Sequence, residues 1–190
     1  MHFIRSTFFI LFLNFIRCFS EKCQFEFFTP DNTAYNFIRN HGTELYFKVH
    51  ASNDAHIGLF SVPHMKNPWY EIVIGGWANS KSVIRKNKQD EHGFIVMSSN
   101  TRNILDPTRF IGFSVRFHNR TIDVTREDEE KPFITWSDTV NIANISYIGI
   151  HTGFGSTGNW IITKSTKNRC KISINLDGCD CTSNVCVNEE

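Results

Sequence analysis

Apolar and polar side chains alternate one for one through Leu45-Tyr46-Phe47-Lys48-Val49-His50-Ala51, and again through Phe110-Ile111-Gly112-Phe113-Ser114-Val115-Arg116-Phe117-His118. A period of two puts successive side chains on opposite faces of a strand, whereas a helix repeats its apolar face about every 3.6 residues. Leu45, Phe47, Val49 and Ala51 are therefore expected to face a core, as are Ile111, Phe113, Val115 and Phe117. Asn119-Arg120 reads as a turn into Thr121-Ile122-Asp123-Val124-Thr125, so residues 110 to 125 form a predicted hairpin. Further strands are predicted at 55–60, 70–74, 82–85, 93–98, 133–136, 146–151 and 160–164. No stretch sustains a helical period, and leucine occurs six times and alanine five against eighteen phenylalanines. Short strands separated by turns imply an all-β fold, a two-sheet antiparallel sandwich of jelly-roll type, ending in a short cysteine-rich tail.

The first twenty residues read differently. MHFIRSTFFILFLNFIRCFS opens with His2 and Arg5 and then runs apolar from Thr7 to Ile16 with only Asn14 interrupting. That run is too short for a bilayer, which takes roughly 20 residues, and no transmembrane anchor is expected. It fits a signal peptide at 1–20 cut after Ser20, with the folded domain at 21–168 and the tail at 169–190. Secretion makes disulfides the expected state of Cys23, Cys170, Cys179, Cys181 and Cys186. Cys23 with Cys170 would clasp the two ends of the domain. Three cysteines then remain, which leaves an intermolecular bridge that would join two chains, a free thiol or a different cleavage point open. Asn119-Arg120-Thr121 and Asn144-Ile145-Ser146 are glycosylation sequons and agree with export.

Lys plus Arg number 20 against 19 Asp plus Glu, so no positive field exists to gather nucleic acid. Lys81, Arg85, Lys86 and Lys88 form the one local basic cluster and read as a solvated strand end. Four acids at Glu127-Asp128-Glu129-Glu130 read as a turn facing water rather than a calcium site. The eight histidines are scattered, and no spacing of histidine, cysteine or carboxylate marks a metal. Asp54-Ala55-His56 resembles part of an acid–base pair but lacks a third member, and reads as solvated or structural.

The segment Trp69-Tyr70-Glu71-Ile72-Val73-Ile74-Gly75-Gly76-Trp77-Ala78-Asn79-Ser80-Lys81-Ser82-Val83-Ile84-Arg85 reads as strand, turn and strand. Tyr70, Ile72 and Ile74 share one face, and Trp69, Glu71, Val73 and Trp77 the other if the pleat continues through the glycines. Residues 53–60, 70–85 and 149–160 resemble the farnesoic acid O-methyltransferase-like domain, which occurs singly or repeated in many animal proteins, often extracellular. The resemblance spans about residues 25 to 164. It implies a β-rich domain and carries an enzyme name, S-adenosylmethionine-dependent methylation of farnesoic acid in juvenoid synthesis, without implying any catalytic residue.

Gly153-Phe154-Gly155-Ser156-Thr157-Gly158 matches the dinucleotide fingerprint G-x-G-x-x-G, but Asn159 to Lys164 reads as a strand where the fingerprint requires a helix. A glycine-rich hairpin loop is the expectation, with no cofactor. Two functions stay in view. One is a secreted, non-catalytic recognition module for a glycan, lipid or protein, with Trp77, Asn79, Ser80, Arg85, Asp54 and His56 as its candidate ligand-binding residues. The other is the methyltransferase of the family's name, in which Arg85 could hold the substrate carboxylate. Against either, Trp69 and Trp77 could cap the core while Arg85 pairs with Glu71 across neighbouring strands.

Overall fold

The computed structural model describes residues 24–66, 68–87, 94–139 and 144–163, together with the backbone of 172–173, 179–182 and 185–188. The signal peptide assigned to 1–20, Cys23, Cys170 and Lys88 lie outside the described residues.

In chain order the strands are β1 Gln24–Thr29, β2 Asn36–Arg39, β3 Glu44–Ala51, β4 Ala55–Phe60, β5 Tyr70–Gly75, β6 Lys81–Lys86, β7 Ile95–Asn100, β8 Ile111–His118, β9 Thr121–Arg126, β10 Ile134–Ser137, β11 Tyr147–Thr152 and β12 Gly158–Thr163. They form two six-stranded sheets, β1-β12-β3-β8-β9-β10 and β2-β11-β4-β5-β6-β7, antiparallel throughout. The fold is the expected all-β sandwich of jelly-roll type. No helix among the described residues is long and apolar enough to cross a membrane.

The inner faces supply the core. Phe47, Val49, Phe113, Val115, Val124 and Trp160 from the first sheet meet Ile57, Leu59, Tyr70, Ile72, Ile84 and Ile150 from the second, all buried. Each such side chain contributes roughly 1.5–3 kcal/mol by leaving water, so the alternation in the sequence is also the main source of cohesion. Tyr70 is the polar exception. Its hydroxyl donates to Asp138 at 2.8 Å, and Lys86 reaches the same carboxylate at 2.6 Å.

Several details depart from the sequence reading. β1 and β2 are additional strands, and β7 lies two residues later than expected. The glycine-rich loop at 153–158 is not a hairpin, because β11 belongs to the second sheet and β12 to the first, so the loop carries the chain across the sandwich. The basic cluster is not a solvated strand end: Arg85 is buried and Lys86 is committed to Asp138. Glu127 and Asp128 do face solvent, paired with Lys48 at 2.9 Å and Arg126 at 3.1 Å.

In the tail, β13 Ile172–Ser173, β14 Cys179–Thr182 and β15 Val185–Asn188 form a small antiparallel sheet in which positions 181 and 186 are register partners.

Candidate functional site

The outer face of the second sheet is covered rather than open, which is why β4 and β5 are buried on both sides. Register aligns its side chains in rows. Gly149, Gly58, Glu71 and Arg85 lie side by side across β11, β4, β5 and β6, and His151, His56, Val73 and Val83 form the adjacent row.

The glycine pair makes a trough. A Cβ on Gly58 would fall 2.1 Å from the Phe60 ring and 3.1 Å from Tyr35, and one on Gly149 would fall 2.7 Å from both rings. Side chains there would lift Tyr35 and Phe60 off the sheet. Without them, Tyr35 lies across the trough and its hydroxyl donates to Glu71 at 2.6 Å. Phe60 stacks on Trp69 at 5.1 Å, and Phe37 packs edge-on against Phe60, giving a small aromatic layer outside the main core. Trp69 is thus buried, but in this outer layer.

Glu71 is the hub. Arg85 Nη1 donates to one carboxylate oxygen at 2.8 Å, and His56 Nδ1 donates to the other at 2.9 Å, with His151 Nε2 3.8 Å from that second oxygen. His56 and His151 stack at 4.1 Å with 23° between their planes. Asp54 Oδ1 lies 3.6 Å from His56 Nε2. Burial by itself would raise the Glu71 carboxyl. The neighbouring His151 and His56 imidazoles, the charge of His56 and the hydrogen bond from Tyr35 outweigh it and hold the carboxyl well below the usual carboxylate range. Burial also works against charge on His56, but the neighbouring carboxylates of Asp54 and Glu71 prevail and raise it. For His151 burial prevails and its pKa is lowered. Burial, then the Glu71 charge, push the Tyr35 phenol up, so it remains a donor.

Beside this buried cluster the chain makes an uncommon turn. Gly75, Trp77, Ala78 and Asn79 all have positive φ, from 53° to 64°, so the pleat stops and one turn of left-handed helix replaces it. Left-handed backbone costs roughly 1–2 kcal/mol per non-glycine residue. Neighbouring bonds hold it. Asn79 donates through Nδ2 to the Leu105 carbonyl at 2.8 Å and accepts through Oδ1 from the Leu105 N–H at 3.1 Å. The Asn103 N–H donates to the Asn79 carbonyl at 2.7 Å, and the Ser80 hydroxyl to the Trp77 carbonyl at 2.7 Å.

Of the six predicted ligand-binding residues, the structure places Asn79 and Ser80 as braces of this turn, Arg85 and His56 in the buried cluster, and Asp54 at its edge. Trp77 alone among them is well exposed, at 38%, with Lys81 Nζ 3.8 Å and the Arg85 guanidinium 5.6 Å from its ring. Phe154, in the loop between the sheets, is 56% exposed, also has positive φ, and stacks over His56 at 5.8 Å. Asn53 and Asp54 join the two turns: the Asp54 N–H donates to the Gly75 carbonyl at 3.0 Å, and Asn53 Nδ2 donates to the Phe154 carbonyl at 3.3 Å. His56 is fully buried, so of the two expectations for it, solvated or structural, the solvated one does not hold. His151, Tyr35 and Phe154 were not singled out as site residues, since nothing local in the sequence ties them to Glu71 or to Trp77.

A second concavity, an open groove of about 350 Å³, lies on the first sheet and is lined by Glu26, Phe27, His50, Phe110, Asn159 and Trp160. The loop at 153–158 does not fit an adenosylmethionine or dinucleotide cradle. It leads into β12 rather than into the helix N-terminus that such a cradle uses.

Solved structures with similar strand layout include a β-glucanase of Bacillus licheniformis, 12% identical with a TM-score of 0.47 over 75% of this chain and 79% of that one. A galectin of Caenorhabditis elegans is 11% identical with a TM-score of 0.45 over 74% and 96%. A carbohydrate-binding module from Bacillus subtilis is 8% identical with a TM-score of 0.39 over 75% and 83%. No curated protein matches the sequence. The family model described as farnesoic acid O-methyl transferase matches residues 21–166, the whole of the two-sheet body, and the chain belongs to that family.

Proposed function

We propose that the chain is a secreted, non-catalytic recognition module whose ligand is a glycan, bound at the edge of the second sheet's outer face around Trp77, Phe154 and Asp54. The observation that carries this reading is Trp77 itself, a large ring held part-exposed by a strained turn whose surroundings over-determine it. Strain of this kind persists where a display geometry is wanted. The rings of Trp77 and Phe154 stand over Arg85 on β6 and His56 on β4, two strands apart and so separated by roughly 10 Å. Rings take the C–H faces of sugar residues, and Asn53 and Lys81 supply acceptors and donors for the hydroxyls. A lipid tail would instead call for an enclosed apolar slot. The exposed positions of Asn119, at the β8–β9 turn, and Asn144 suit glycosylation of an exported protein.

The test is a glycan array probed with the mature protein, run beside an assay with labelled adenosylmethionine and farnesoic acid. Binding to a defined saccharide class without methyl transfer is the expected result. A flat array together with methyl transfer would replace this reading with the enzyme of the family's name.

A further inference from the structure

We propose that His56, Glu71 and His151 form a binding site for one divalent transition cation of the zinc class, buried beneath the recognition face. Each residue offers one ligand atom, and the three atoms all lie within 4.8 Å of one another. His56 Nδ1 is 2.9 Å and His151 Nε2 is 3.8 Å from the same Glu71 oxygen. A zinc-type ion sits about 2.0–2.2 Å from nitrogen and oxygen ligands, which leaves ligand atoms roughly 3–4 Å apart, so these two distances already suit a common centre. Two imidazoles and one carboxylate are a donor set for zinc, cobalt or iron rather than for calcium or magnesium, which take oxygen.

The surroundings fit the same reading. His56 Nε2 is buried and has no hydrogen-bond partner, while Asp54 Oδ1 lies 3.6 Å away. With the ion on Nδ1 in place of its proton, Nε2 keeps a proton to give to Asp54, the carboxylate–histidine–metal arrangement that fixes ring orientation. Arg85 and Tyr35 hold the Glu71 carboxylate at 2.8 Å and 2.6 Å, fixing the third ligand. The ion would tie β4, β5 and β11 together. The inference does not depend on the identity of the ligand above.

The test uses the full-length chain, stripped with chelator and titrated with Zn²⁺ or Co²⁺ in the absence of sugar. One equivalent of metal per chain, a visible Co²⁺ ligand-field band without thiolate charge transfer, and a raised melting temperature are expected. His151→Ala should weaken metal binding by at least about tenfold, while His50→Ala, on the other sheet, should leave it unchanged. Should His151→Ala fail to fold, the Co²⁺ spectrum of the natural chain decides. A folded chain that takes up no Zn²⁺ or Co²⁺, or a thiolate spectrum placing the metal in the cysteine tail, would overturn the assignment. Neither result bears on glycan binding, which is measured separately.

Discussion

Glu71 and Arg85 stand directly opposite each other on β5 and β6, and their side chains meet at 2.8 Å on the outer face of the second sheet, both buried. Removing one member strands the other charge without a counter-ion. Glu71→Gln should therefore destabilise the fold by about 3–5 kcal/mol in urea unfolding. A Glu71→Gln protein as stable as the natural one would show that the pair is not an energetic hub.

The same carboxylate sets the acid limit. Its folded pKa is depressed, so its contribution is complete above the unfolded value near 4.3 and is lost as pH falls from there through the folded pKa. His56, raised, contributes below about pH 6.5 and loses that contribution as pH rises through its folded pKa. His151, lowered, has the opposite sign: its contribution is present above about pH 6.5 and fades as pH falls. The stacked histidines thus act with opposite signs near neutrality, and Glu71 weakens the fold in acid. Chemical unfolding between pH 5 and 3 should show a steep loss of stability in the natural chain and a shallower one in Glu71→Gln; parallel curves would argue against this assignment.

Gly58 is fixed by its neighbours rather than by its backbone angles. Gly58→Ala places a methyl group against Phe60 and Tyr35 and should cost about 1–3 kcal/mol, read as a fall in melting temperature. Gly155→Ala meets no atom within 4 Å and should cost only the left-handed backbone preference, roughly 1 kcal/mol. Equal effects at the two positions would mean that the trough does not seat Tyr35.

The left-handed turn yields a prediction of the opposite sign. Ala78 is exposed and has a φ of 54°, a conformation glycine reaches without penalty. Ala78→Gly should stabilise the protein by up to about 1 kcal/mol. Asn79→Ala, which loses both bonds to Leu105, should destabilise it and weaken ligand binding without touching the ligand. Calorimetric melting of the two variants checks the pair of signs.

Much of the sandwich was legible because half-covered strands advertise their period. Leu45 to Ala51 and Phe113 to His118 bury alternate residues as the sequence indicates. β4 and β5 bury every residue, so their alternation carries no outward mark, and the polar residues on their outer face looked like surface. The Glu71–Arg85 pair could be foreseen since two adjacent strands joined by a short turn fix their own register. His151 could not. It reaches His56 because β11 inserts between β2 and β4, a strand order that no local pattern encodes. The left-handed turn was hidden for a related reason: Trp77, Ala78 and Asn79 are ordinary strand and turn residues, and it is the bonds from Leu105 and Asn103 that select their conformation.

The most direct measurement is isothermal titration of the oligosaccharide picked out by the array into the natural chain and into Trp77→Ala, with melting temperatures taken on the same samples. If the exposed ring on its strained turn is the ligand platform, Trp77→Ala binds at least about tenfold more weakly, a loss of roughly 1.4 kcal/mol, at an unchanged melting temperature. Equal affinity in the two proteins would contradict the account.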